Sequence, residues 1–217
     1  MNRREFSLQT AAVIGSAGVL ASSQALAQGG PIEGTHYVRL NQPAPVSAPA
    51  GKVEVVEFFW YGCPHCFHFE PFVESWASKL PADVAFRRIP VAFREKPFGV
   101  HQQLYFAIES LGLLDTLHPR VFKAMHEERQ RLDTPEAIGD FVAKHGVDRA
   151  RFMGVFQSFA VQTKCRQARA LTDAYRIDGV PALGIGGRFY TSISLNGNPT
   201  RTLATTDFLI GRARRPA

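Results

Sequence analysis

In the stretch Trp60-Tyr61-Gly62-Cys63-Pro64-His65-Cys66-Phe67, two thiols are separated by only two residues. Such a pair can hold a metal, staple a fold or carry electrons. A structural zinc site takes about four ligands. Here the third cysteine, Cys165, stands alone and the other histidines are scattered. Copper(I) can be held by two thiolates, but no methionine-rich stretch accompanies them. Three cysteines in 217 residues are also too few for a disulfide scaffold. The spacing favours redox exchange.

The neighbouring residues say how that exchange would run. Lys52–Trp60 is a β-branched and aromatic run that reads as a buried strand, and a helical pattern follows the cysteines, with Phe67, Pro71, Phe72, Trp76 and Leu80 at helical spacing. Residues at i and i+3 share a helix face, within reach of disulfide geometry. Cys63 is placed at the helix N-terminus, where free N–H groups and the dipole favour a negative sulfur. It is therefore expected to be the exposed, low-pKa nucleophile, with Cys66 as its buried partner. His65 can stabilise the Cys63 thiolate as a cation or an N–H donor. With Pro64 it forms the dipeptide that sets redox direction: a stabilised thiolate weakens the disulfide and makes the protein an oxidant.

Two further features bear on the pair. Glu57 sits inside Val55-Val56-Glu57-Phe58-Phe59, and a carboxylate is rarely buried unpaired. It reads either as a proton acceptor beneath Cys66, its pKa raised by burial, or as a strand-edge residue reaching water. Val180-Pro181 reads as a simple turn or, if the bond is cis, as a loop set against the cysteines that offers the Val180 backbone to a peptide. Cys165, in a helical stretch, reads as a small half-buried residue.

Residues 1–27 carry Arg3-Arg4, a mildly apolar stretch and Ala25-Leu26-Ala27, the pattern of an export signal cleaved near Ala27. The paired arginines resemble the twin-arginine type, with an ordinary Sec signal as the alternative. Net charge is +6 without a concentrated basic stripe, so no nucleic-acid site is expected. The expected organisation is a lead-in at 28–50, a first β-α-β part at 51–96, an inserted helical block at 97–158, and a linking helix with the second α/β part at 159–217. Strands are expected at Pro181–Ile185 and Arg188–Ser192 around a Gly186-Gly187 turn. Helices are expected over Gln102–Leu114, Pro119–Arg131 and Thr206–Arg212, with caps at Thr134 and Asp148.

Val55 to Cys66, the helical insertion and Gly179-Val180-Pro181-Ala182 together resemble the DsbA family of periplasmic thiol:disulfide oxidoreductases, over about residues 51–215. The resemblance implies an α/β thioredoxin fold with an inserted all-helical domain. It implies that the Cys63–Cys66 disulfide is donated to exported proteins with free cysteines, and is restored by a DsbB-type membrane partner linked to quinone. By position, Cys63 becomes the nucleophile, Cys66 the buried cysteine, His65 the tuning residue, Val180-Pro181 the cis-proline loop and Glu57 the buried acid. No metal or organic cofactor is needed, and Trp60, Tyr61, Phe67 and Val180 could hold an extended peptide. The family often sets a lysine beside the acid, where this chain offers Arg87 or Arg88. A disulfide isomerase or reductase on the same fold is the nearest alternative. Residues 28–50 are too short for the dimerisation domain that isomerases carry, and a monomer is expected. A copper(I)-binding thioredoxin-like protein is the more distant one.

Overall fold

The computed structural model describes residues 29–215; the expected export signal and its expected cleavage point near Ala27 lie outside them. Val53–Phe59 (β2) forms the expected buried strand, buried along its whole length. It lies between two partners: Val84–Pro90 (β3), parallel, and Ala182–Ile185 (β4), antiparallel. Phe189–Ser192 (β5) and a two-residue strand, Val38–Arg39 (β1), extend the sheet, giving the order β1-β5-β4-β2-β3. β4 and β5 are joined through Gly186, Gly187 and Arg188; both glycines are left-handed, at φ +58° and +66°, and the Arg188 N–H closes the turn on the Ile185 carbonyl at 3.0 Å. Nothing in the sequence marks β1; two residues carry no period.

Side chains alternate across β2, so its faces go to different layers. Val53 and Val55 pack with Phe69, Val73, Leu183, Leu203 and Leu209. These come partly from Pro64–Ala77 (α1) and Pro199–Ala213 (α8). Val56 and Phe58 face the second core, filled by helices inserted between β3 and β4. These are Val100–Ser110 (α2), Leu114–His126 (α3), Pro135–Lys144 (α4), Arg149–Phe156 (α5) and Phe159–Ala174 (α6). The caps stand where the sequence marks them: Thr134 accepts from the Ala137 N–H at 3.2 Å and Asp148 from that of Arg151 at 2.7 Å.

Three expectations are corrected. Pro119 does not open a helix but lies inside α3, whose buried face of Leu117, His118, Val121 and Phe122 continues through it. α8 begins at Pro199, not Thr206. Its threonines are poor helix formers, but Asn198 caps it and Thr202 and Thr206 bond back to carbonyls one turn earlier. The buried face of α1 is Cys66, Phe69, Glu70 and Val73, while Phe72, part of the apolar period, is 46% exposed. A short helix, Ile193–Asn196 (α7), precedes α8. No helix among the described residues is long and apolar enough to cross a membrane.

Candidate active site

β2 ends at Phe59, and a tight turn, Trp60–Gly62, delivers Cys63 to the N-cap position of α1 with φ −88° and ψ 116°. No side chain caps this helix, so its first N–H groups are free to face the Cys63 sulfur. The turn closes on itself, the Cys63 N–H donating to the Trp60 carbonyl at 3.0 Å. Gly62 is needed here because a Cβ would collide with the Trp60 indole. The indole stacks on Phe98 at 4.0 Å between ring centres and donates to His101 Nδ1 at 2.8 Å.

The two thiols are driven apart in pKa. Cys63 is lowered to about 6, first by a hydrogen bond from the Cys66 thiol, then, against the cost of burial, by the backbone N–H groups of Cys66 and His65 and the charge of His65. Cys66 is pushed well up by burial and by the Cys63 sulfur. The His65 charge, foremost in the sequence reading, thus comes after the geometry of the pair itself. Cys63 also departs from the exposed position expected: it is only 7% exposed, with the Val180 carbonyl 3.5 Å from its sulfur. Pro64 and His65 beside it are open to solvent.

Two outcomes follow from the hydrogen bond. Cys66→Ala removes the thiol donor, so the Cys63 titration midpoint should rise from about 6, followed by the ultraviolet absorbance of the thiolate. In the reduced protein the depressed Cys63 pKa also adds stability that is complete above the ordinary thiol value of 9.0 and is lost as pH falls through about 6. Thermal melts of reduced and oxidised protein should diverge as pH rises across that window.

Beneath the pair lies a buried charge cluster. Glu57 is fully buried, which removes the strand-edge reading. Parallel pairing sets it opposite Arg88, whose Nε donates to Glu57 Oε2 at 2.9 Å. Arg88 Nη2 donates to Glu70 at 2.9 Å and to Glu74 at 2.6 Å, both on α1. Arg87 points to the other face, onto Glu54. One guanidinium cannot balance three carboxylates, and burial, followed by the Glu70 charge, raises Glu57 to about 8 against the pull of Arg88. Burial works against Glu70 too, but His118 and Arg88 hold it below the ordinary carboxylate value. Glu57 Oε1 has no hydrogen-bond partner. The sequence reading missed Glu70 and Glu74; their spacing of four on one helix was the available signal, and their convergence on Arg88 needed the strand register.

The Val180–Pro181 bond is cis, with Val180 half-buried and Pro181 buried. Next to it is a depression of about 240 Å³ lined by Ile177, Pro181, Tyr190 and Leu195 among others. Tyr61 does not belong with the peptide-holding residues. It is fully buried, its hydroxyl 2.8 Å from His118 Nδ1, because the turn sends its ring into the inserted helical core. Trp60 is half-buried against Phe98. Cys165 is buried in the helical core, where burial raises its pKa to about 11, and takes no part in the site.

The profile of the DSBA-like thioredoxin domain matches residues 54–203, spanning the cysteine pair, the insertion and the cis-proline loop. This chain belongs to the DsbA family. It is 44% identical over 184 residues to the thiol:disulfide interchange protein DsbA of Pseudomonas aeruginosa, covering 85% of this chain and 86% of that protein. With the DsbA of Burkholderia cepacia it shares 41% identity over 195 residues, 90% and 92% of the two chains. The crystal structure of P. aeruginosa DsbA superposes with a TM-score of 0.80 at 44% identity, over 83% of this chain and 93% of that one. The DsbA oxidoreductase from Xylella fastidiosa superposes with 0.79 at 32% identity, over 85% and 98%. Membership of the DsbA family makes the protein a disulfide oxidoreductase of thioredoxin fold with the Cys63-Cys66 motif.

Proposed function

We propose that this protein works in the periplasm, donating its Cys63–Cys66 disulfide to the thiols of exported proteins. The observation that supports this direction is the Cys63 sulfur, held at the start of α1 with a pKa near 6. A substrate thiolate attacks Cys63 Sγ; the S–S bond to Cys66 breaks and a mixed disulfide forms. Cys66 leaves with the electron pair and, with its raised pKa, takes up a proton. Glu57, beneath it and itself raised to about 8, is the proposed proton donor. A second substrate thiolate then attacks the substrate sulfur of the mixed disulfide, and Cys63 departs as a stabilised thiolate. Two substrate thiols are oxidised and one protein disulfide is reduced, with no metal or organic cofactor in either step.

The edge formed by Val180 and the depression beside Pro181 is the proposed seat of an extended substrate segment, its backbone pairing with that of Val180. A DsbB-type quinone-linked membrane oxidase is the proposed acceptor of the electrons. The test mixes oxidised protein with a reduced, unfolded substrate that needs one disulfide. Stoichiometric transfer, followed by turnover when membranes containing a quinone-linked oxidase are added, is expected. A substrate that stays reduced while the protein keeps its disulfide would overturn the reading.

A further inference from the structure

Three histidines that the sequence leaves scattered converge on the turn before Cys63. His101 on α2 accepts the indole N–H of Trp60 at Nδ1, 2.8 Å away, and its Nε2 lies 3.1 Å from the Leu132 carbonyl. One nitrogen must accept and the other donate, so this ring is neutral with its proton on Nε2. Burial lowers its pKa, in keeping with that form. His118 on α3 sits with Nδ1 2.8 Å from the Tyr61 hydroxyl and Nε2 3.2 Å from Glu70. Its Nε2 makes no hydrogen bond, so its hold on the turn is the single bond between Nδ1 and the Tyr61 hydroxyl. His126, the last residue of α3, donates from Nε2 to the Tyr61 carbonyl at 2.7 Å. Its ring stacks on Phe67 at 5.0 Å and 8°.

The turn is thus gripped at an indole, a phenol and a carbonyl, in each case by the inserted block. His126 also spans the dithiol, holding Tyr61 ahead of it and Phe67 behind. We propose that His101, His118 and His126 are positioning residues for the disulfide exchange, through which the inserted helices fix the Trp60–Gly62 turn and with it Cys63. The inference rests on Cys63 and Cys66 being the exchanging pair. The sulfur's donors, the Cys66 thiol and two backbone N–H groups, act over hydrogen-bond distances that a loosened turn would lengthen. Small misplacements of a reacting group carry large rate penalties.

His126 gives the clearest test, because it lies at the end of its helix and is only partly buried. His126→Phe keeps a ring against Phe67 and loses the donor; His126→Gln keeps a donor and loses the ring. Both are compared with wild type for melting temperature, Cys63 thiolate titration, glutathione equilibrium and rate of substrate oxidation. His126→Phe should slow oxidation by about tenfold, raise the thiolate midpoint from about 6 and make the pair less oxidising. His126→Gln should recover most of the rate and both equilibrium values. Wild-type midpoint and glutathione equilibrium in His126→Phe would overturn the proposal, as would equal impairment of the two variants. His101→Leu, which cannot accept the indole proton, should shift the same two equilibria; an unchanged midpoint there would also count against it. Wild-type protein that fails to oxidise substrate would contradict the oxidase reading instead, so the two failures are distinct.

Discussion

Cys63→Ser is expected to bring disulfide transfer down to the uncatalysed background while the protein stays folded. The side chains are close in size, and the Val180 carbonyl 3.5 Å from the sulfur gives a hydroxyl an acceptor within reach. The stability change should therefore be small, within about 1 kcal/mol. Activity is lost outright because a serine hydroxyl cannot form, with Cys66, the S–S bond that is donated. Cys66→Ala should behave differently. It keeps the nucleophile but removes the resolving thiol, so mixed disulfides with oxidised glutathione or substrate should accumulate. Mass spectrometry of the two variants after incubation with a thiol–disulfide mixture separates them. Residual oxidation by Cys63→Ser comparable to wild type would mean that the exchange runs elsewhere.

Arg88→Leu is expected to destabilise the protein by roughly 3–5 kcal/mol, the range for removing one partner from a buried ionic cluster. Arg88 has three carboxylate contacts, and its departure leaves Glu57, fully buried, and Glu70, 9% exposed, without their cation. Glu57, already raised to about 8, would then hold its proton to still higher pH. The loss should therefore be greater in alkali, where the orphaned carboxylates must ionise, than in mild acid. For a chain of this size that loss corresponds to roughly 10 °C in melting temperature. Arg88→Lys should recover only part of it, since one ammonium cannot reproduce the forked contacts of a guanidinium. Urea unfolding at two pH values checks both statements. A loss below about 1 kcal/mol in Arg88→Leu would mean that the cluster is solvated.

The architecture was legible where local signals and burial agree. β2 announces itself by an unbroken apolar run, the hairpin by two glycines, and α4 and α5 by their capping residues. The placing of Cys63 at the helix start, with a lowered pKa, and of Cys66 as its buried partner was legible from spacing at a strand-to-helix junction. What escaped was non-local. Arg88 could be chosen over Arg87 only once the parallel register set Glu57 opposite it. Tyr61 looked like a surface aromatic beside the cysteines, but the turn directs it inward to His118. The histidines on α2 and α3 lie 41 to 65 residues from the turn residues they hold, and no periodicity or motif ties them to it. The 7% exposure of Cys63 likewise depends on Val180, 117 residues away.

The central claim is that a stabilised Cys63 thiolate makes this disulfide one to be given away. A thiol pKa near 6 in place of 9.0 weakens the disulfide at pH 7 by about tenfold, which is about 30 mV for a two-electron couple. The most direct measurement is the reduction potential of the pair against glutathione as a function of pH. The account predicts a value above the roughly −270 mV of thioredoxin. It also predicts that the slope falls from about 60 to about 30 mV per pH unit as pH rises through 6, because reduction then takes up one proton instead of two. A potential at or below that of thioredoxin, with the steeper slope persisting to pH 9, would contradict it.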